Sequence, residues 1–388
     1  MIDYSSVLSP EVTALKPSGI RKFFDIAATM DDVISLGVGE PDFQTPWHIR
    51  KAGIAAFERG KTKYTSNSGL MELRSAITKF LERKYSLSYE PESEVLVTVG
   101  GSEAIDAAIR AIVCEGDEVI IPQPSYVCYE PITLLAKGVP VIIETKAEDD
   151  FKLTAKDLKA HITPKTKALI LPYPCNPTGA IMEKKDLEEI AKVLENTNIA
   201  VISDEIYSEL TFGSNHVSFA SVGNMKERTV TVNGFSKTFS MTGWRLGYAC
   251  GPKEIIEQMT KIHQFAIMCA PTVSQYAAVD ALRNGDAAIA AMKEEYDSRR
   301  KLTVASFNEI GLTCREPKGA FYAFPSIKKS GLSCDEFCER LLKEKHVAIV
   351  PGTAFGKGGE GFVRASYCYS TEHLIKAVER IDEFLKTL

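Results

Sequence analysis

The stretch GFSKTFSMTGWRLG, Gly234 to Gly247, places Lys237 among Ser236, Thr238, Ser240, Thr242 and Gly243, with Arg245 eight positions on. No amphipathic helical rhythm is present that would carry an ammonium on a solvated face. An enclosed lysine loses hydration and its pKa falls, which costs stability and leaves a neutral amine able to attack a carbonyl. Lys237 is therefore a candidate nucleophile. Other polar residues stand where short apolar runs end: Gly100-Gly101-Ser102, Tyr126, Asn176, Asp204 with Tyr207.

The elements that must position these residues alternate in type. SEVLVTVG (93–100), DEVIIPQP (117–124), VPVIIET (139–145), KALILPYP (167–174), IAVISDEI (199–206) and RTVTVNGF (228–235) read as buried strands. GSEAIDAAIRAIV follows the first as a helix, and KKDLEEIAKVLEN lies between the two central strands as another. Near-continuous apolar runs separated by helices predict a largely parallel sheet covered on both faces, an α/β architecture. Ligands gather at the carboxyl ends of strands in such sheets, where the polar residues stand.

Each of them also has a plainer use. Gly101 and Ser102 open a helix, where free N–H groups and the dipole suit an anion, or where Ser102 merely caps the turn. With Ser236 and Arg245 added, a phosphate pocket is the better reading, though G-x-x-x-x-G-K-[ST] is absent. Asp204 could cap the chain after its strand, Asn176 could serve the backbone of the turn YPCNPTG, and Tyr126 could be a core aromatic. Arg364 lies in the apolar, strand-like GFVRASY, which favours an inward guanidinium over a surface ion pair.

From about residue 285 the pattern changes to long helices around short strand-like pieces such as GAFYAFP and GFVRASY, as in a smaller α+β domain. The head, with a helix candidate and the extended ISLGVGEPDF, has too little apolar surface to fold alone. The expected division is a large α/β domain over 48–284, with 1–47 and 285–388 forming an N-terminal arm plus the small domain.

Composition narrows the function classes. The 388 residues are 45% hydrophobic and 25% charged, with a formal net charge of -5, which leaves no electrostatic footprint for nucleic acid or an anionic membrane. No run of about 18 apolar residues occurs, and MIDYSSVLSPEV lacks the basic and apolar regions of a signal peptide. Nine scattered cysteines suit a reducing compartment, so a cytoplasmic location is expected. The six histidines show no metal spacing, and no metal site is expected. His263 and Gln264 could face a substrate, but a packed or solvated histidine is the simpler reading. GKGGEG (356–361) reads as a mobile loop.

Taken together, Lys237 in GFSKTFSMTGWRLG, Asn176 in N-P-T-G, Asp204-x-x-Tyr207, Arg364 in GFVRASY, GEPDF (39–43) and Tyr64-x-x-x-x-Gly69-x-x-x-Leu73-Arg74 resemble one pattern. It is that of the class I and II aminotransferases, fold type I enzymes that use pyridoxal 5'-phosphate, and it runs from about residue 17 to the C-terminus. The resemblance implies that Lys237 holds the cofactor and moves the proton at the substrate α-carbon, and that Asp204 keeps the ring nitrogen protonated. It implies that Asn176 and Tyr207 bond the phenolic oxygen, Tyr126 stacks on the ring, and Gly101, Ser102, Ser236 and Arg245 hold the phosphate. Arg364, with the Gly39 backbone, would grip the substrate carboxylate. Tyr64 would reach the neighbouring subunit's phosphate, which implies a homodimer with shared active sites. One departure stands out: many relatives have Ser where this chain has Gly234.

The same resemblance implies transfer of an amino group from an L-amino acid to a 2-oxo acid, with 2-oxoglutarate the expected acceptor, by a ping-pong route. Some aspartate-using relatives read G-G-K where this chain has Ser102, which speaks against aspartate. SGIRKF, LPYPCNPTG, SDEIYSELTF and the Lys237 segment look most like bacterial aromatic or N-acetyl-diaminopimelate aminotransferases. Two alternatives share the fold: a carbon–sulfur β-lyase, which expels a leaving group from the same carbanion, and a non-catalytic cofactor-binding regulator. The regulator would need a DNA-binding domain ahead of residue 17, for which this chain has no room.

Overall fold

The computed structural model of the protein describes residues 2–17, 30 and 32–388; the SGIRKF motif lies outside them. Its centre is a seven-stranded sheet in the order β2-β8-β7-β6-β5-β3-β4. The strands are β2 (Val95–Thr98), β3 (Glu118–Gln123), β4 (Val139–Glu144), β5 (Thr166–Leu171), β6 (Ala200–Asp204), β7 (Thr229–Gly234) and β8 (Gly247–Cys250). Six correspond to the apolar runs in the sequence, shortened by a residue or more at one or both ends. The seventh, β8, runs antiparallel to both neighbours, β2 and β7. It has only four residues, two of them Gly and Ala, so neither length nor composition marks it as a strand.

Burial explains why the strands lack polar alternation. Val119 and Ile121 of β3 face one apolar core with Ala168 and Ile170 of β5, backed by the helices Gly101–Ile112 and Lys253–Ala266. Ile120, Leu169 and Leu171 face the opposite core with Leu187 and Ile190 of the helix Lys184–Leu194. Successive side chains of one strand thus fill two cores, and the central positions of β3 and β5 are apolar on both faces. Truncating Ile120, Ile121, Leu169, Ile170 or Leu171 to alanine should cost about 2–5 kcal/mol.

The C-terminal part gathers around another apolar cluster. Its helices are Asp286–Glu309, Cys334–Lys345 and Thr371–Leu385, and its antiparallel sheet has the order β11 (Val350–Pro351), β12 (Val363–Ser366), β9 (Tyr322–Ala323). The head joins it: β1 (Ile34–Ser35) pairs in parallel with β10 (Val347–Ala348), and Ile34 and Leu36 enter the same cluster. The glycine-rich run read above as a mobile loop is packed instead. Gly359 and Gly361 are buried, the Gly361 N–H donates to Cys334 Sγ at 3.0 Å, the Cys334 N–H donates to Glu360 Oε1 at 3.0 Å, and the Ile327 N–H donates to Gly361 O at 2.9 Å.

Candidate active site

Neighbouring strands β6 and β7 pair Asp204 with Val232, so Asp204 and the segment leading to Lys237 leave the sheet at the same edge. Gly101-Ser102 after β2, Tyr126 after β3 and Asn176 after β5 leave at that edge too. The result is a cavity of about 320 Å³ lined by Gly39, Gly101, Ser102, Tyr126, Asn176, Asp204, Tyr207, Ser236, Lys237, Arg245 and Arg364. Eleven of the twelve residues singled out in the sequence meet there. Tyr64 does not: its side chain is 81% exposed, on the rim of a larger open concavity of about 1560 Å³ that shares Thr242 with the cavity.

Asp204 is buried, and its local turn use and its site use coexist. Oδ1 accepts the Ile206 N–H at 3.2 Å, while Oδ2 accepts the Tyr129 hydroxyl at 2.7 Å. Burial pushes its carboxyl up to about 6, against the lowering effect of those two bonds. Lys237 responds in the opposite direction. Desolvation holds its ammonium down at about 8, and Nζ donates to the Gly39 carbonyl at 2.6 Å. The two charged forms of this cavity are therefore both disfavoured until a partner of opposite charge arrives.

At the other end of the cavity, the helix Gly101–Ile112 begins without a side-chain cap. Ser102, Ser236 and Arg245 stand around that opening. Arg245 adopts φ 51°, a left-handed conformation that costs a side-chain-bearing residue energy, and its guanidinium lies over Gly100. Tyr126 and Ser102 line the same wall of the cavity. Gly234 is closely packed: an added Cβ would sit 2.9 Å from Ile206 Cδ1, the movable end of that side chain, and 3.2 Å from Gly247 Cα, so both would have to give way for a serine. Packing against Ile206, the residue after Glu205, accounts for the glycine.

Arg364 on β12 is buried and makes two bonds, Nη1 to Asn176 Oδ1 at 2.8 Å and Nη2 to Gly37 O; its buried Nε has no partner. The guanidinium stacks 4.4 Å from the Tyr322 ring centroid and 4.8 Å from that of Phe355. Tyr207 shares a 2.9 Å hydroxyl–hydroxyl bond with Tyr322. Gly39 is required by the same tyrosine, because a Cβ there would lie 2.0 Å from the Tyr322 hydroxyl. Tyr129 and Tyr322 escaped the reading of the sequence. Tyr322 sits in GAFYAFP as an ordinary strand aromatic, and Tyr129 begins a helix three residues after Tyr126, so neither carries a local signal.

A deep carboxylate, an amine of lowered pKa and an uncapped helix start beside an arginine fit an aldehyde-bearing, ring-nitrogen-containing phosphate ester. The pattern described as aminotransferase class I and II matches residues 31–381. The chain belongs to that family. It is an aminotransferase, an enzyme whose cofactor is pyridoxal 5'-phosphate. It is 52% identical over 381 residues to the putative aminotransferase YugH of Bacillus subtilis (strain 168), covering 98% of this chain and 99% of that one. It is 48% identical to an aspartate aminotransferase of Pyrococcus abyssi, covering 98% of each. The crystal structure of an aromatic aminotransferase from Pyrococcus horikoshii OT3 superimposes with TM-score 0.90 at 46% identity, covering 95% of this aminotransferase and 99% of that chain. The family's fold type I architecture, a mostly parallel central sheet with helices on both faces, is the one described above.

Proposed function

We propose that this aminotransferase moves the amino group of an L-amino acid, aromatic, N-acetyl-diaminopimelate or similar, to 2-oxoglutarate by a ping-pong route. The observation that carries this reading is the placement of Arg364 and Lys237 on one short segment. Their side chains are held by the carbonyls of Gly37 and Gly39, two residues of chain apart, a span of roughly 7 Å. A substrate carboxylate taken by the Arg364 fork thus leaves its α-carbon within reach of the Lys237 amine. Relatives named for aspartate and for aromatic substrates both occur, and Ser102 in place of a lysine favours the second kind.

The bound cofactor supplies an electron-accepting ring that stabilises negative charge at the substrate α-carbon. Lys237 would hold the aldehyde carbon, and its amine would serve as base and then acid for the proton at the substrate α-carbon. Asp204, oriented by Tyr129, keeps a proton on the ring nitrogen. Tyr207 and Asn176 donate to the phenolic oxygen, with Tyr322 and Arg364 fixing their directions. Tyr126 stacks on the ring, and Gly101, Ser102, Ser236 and Arg245 bind the phosphate through N–H, hydroxyl and guanidinium donors.

Assembly and location belong to the same proposal. Tyr64 is exposed beside Phe57 on a concavity that adjoins the cavity, and Phe57 is itself 64% exposed. A second copy docked there would cover this apolar surface and bring its own Tyr64 to the phosphate, making a homodimer with shared sites. Light scattering should give twice the chain mass. Nine unpaired cysteines support a cytoplasmic location, and no described helix is long and apolar enough to cross a membrane. The division into a cofactor-binding unit over 48–284 and a second unit formed by 1–47 and 285–388 rests on the apolar cluster that Ile34 and Leu36 share with the C-terminal helices, which also takes in Tyr207, Leu210 and Phe212 from the first unit.

A panel of amino donors against 2-oxoglutarate tests the substrate, read from absorbance of the cofactor and from product formed. Exclusive release of ammonia and a 2-oxo acid, without return of the amino group to an acceptor, would identify the β-lyase instead. Arg364→Lys, which keeps charge and loses the planar fork, should raise KM for the amino donor about 100-fold while kcat falls less than about tenfold. Steady-state kinetics would show this. The Lys237 pKa near 8 sets a pH profile for the cofactor-free protein: cofactor capture should accelerate about tenfold from pH 6 to 7 and level off above about 8. A rate still climbing tenfold per unit through pH 9 would show an ordinary lysine.

A further inference from the structure

Glu103 is an awkward residue for a helix start that receives a dianion. It holds the third position of Gly101–Ile112, where a free carboxylate would compete for the first N–H groups and repel a phosphate. The fold turns it elsewhere. Oε2 accepts the Val99 N–H, just ahead of the turn. Oε1 lies 2.5 Å from Nδ1 of His263, which reaches in from the last turn of the helix Lys253–Ala266. His263 is fully buried, and its Nε2 has no hydrogen-bond partner. Burying an imidazole with one nitrogen unpaired is costly, and a leucine or methionine would fill the same space without that cost.

We propose that His263 and Glu103 are positioning residues for the cofactor phosphate. The Nδ1–H of His263 draws the Glu103 carboxylate off the helix mouth, and the carboxylate in turn ties down Val99, so that the N–H groups of Gly101 and Ser102 stay open to the ligand. Neither residue touches the reacting atoms. The inference rests on the reading of Gly101, Ser102, Ser236 and Arg245 as the phosphate site.

The test compares pyridoxal 5'-phosphate with pyridoxal, which lacks the phosphate, in absorbance titrations of the cofactor-free protein. His263→Gln should raise Kd for pyridoxal 5'-phosphate about tenfold or more, the worth of one charge-assisted hydrogen bond. Kd for pyridoxal should stay within a factor of about two. Adding Glu103→Gln removes the released charge and keeps an oxygen for the Val99 N–H, so the double variant should recover to within about threefold of wild type. Equal weakening of both ligands, an unchanged ratio, or no recovery in the double variant would each reduce His263 to a packing residue and overturn the proposal. Should His263→Gln not fold, Glu103→Ala alone must show the phosphate-selective loss and Glu103→Gln must not. A wild-type protein that bound both aldehydes equally would instead overturn the phosphate site itself.

Discussion

Replacement of Lys237 by alanine is expected to lower turnover by about four orders of magnitude or more, because one amine is lost from two tasks. No second group is placed to substitute. Among the described residues no second amine lines the cavity, Arg245 and Arg364 do not release a proton near neutral pH, and the Asp204 carboxylate is engaged by Tyr129 and Ile206. Borohydride reduction of the wild-type holoenzyme should fix the cofactor to the tryptic peptide carrying Lys237, detectable by mass spectrometry, and the alanine variant should give no such adduct. Normal turnover in Lys237→Ala would remove the basis of the assignment. The cofactor-free variant should also resist heat better than wild type, since a lysine held near 8 rather than at its ordinary value destabilises the fold below that pH.

Asp204→Asn should combine a large loss of activity with a gain in stability of the cofactor-free protein. Activity should fall about 10²- to 10⁴-fold, the range for a charged group acting on the reacting system. The stability effect follows from the carboxyl value near 6, raised from an ordinary 3.8 by burial. Below pH 3.8 the folded and unfolded chains both carry the proton, and nothing is lost. Between 3.8 and 6 the unfolded chain ionises first, and the folded state loses up to roughly 3 kcal/mol, a loss that persists at all higher pH. Asparagine can still accept the Tyr129 hydroxyl through its one oxygen, giving up the Ile206 N–H bond, and avoids that ionisation loss. Urea unfolding of the two cofactor-free proteins should therefore differ by up to about 3 kcal/mol at pH 7 and converge toward pH 4. A wild-type protein as stable as the variant at pH 7 would show that Asp204 is comfortably ionised without its ligand.

These two residues illustrate a site built against its own stability. A buried acid and a desolvated amine each destabilise the empty fold, and a cationic ring nitrogen and an aldehyde relieve both. Tyr129 moderates the first by hydrogen-bonding the carboxylate. The hydroxyl pair of Tyr207 and Tyr322 and the bond from Arg364 to Asn176 connect the cofactor end of the cavity to the substrate end.

The amino-acid sequence by itself determined the layered α/β architecture, because strands buried on both faces carry runs of consecutive apolar residues, as Val119 to Ile121 and Ala168 to Leu171 show. It also pointed to eleven of the residues that line the cavity, Lys237, Asp204 and Asn176 because they follow apolar strands that end at one edge, and Arg364 and Gly39 through the resemblance to the family. Only the tertiary structure decided what local pattern cannot express. The antiparallel β8 is held by β2 and β7 rather than by its own propensity. Gly234 is glycine because Ile206 and Gly247 crowd it, and Tyr322, Tyr129 and His263 acquire their partners across 115, 75 and 160 residues of chain. Periodicity reports which face a side chain takes; which distant atom it then meets depends on how whole layers pack.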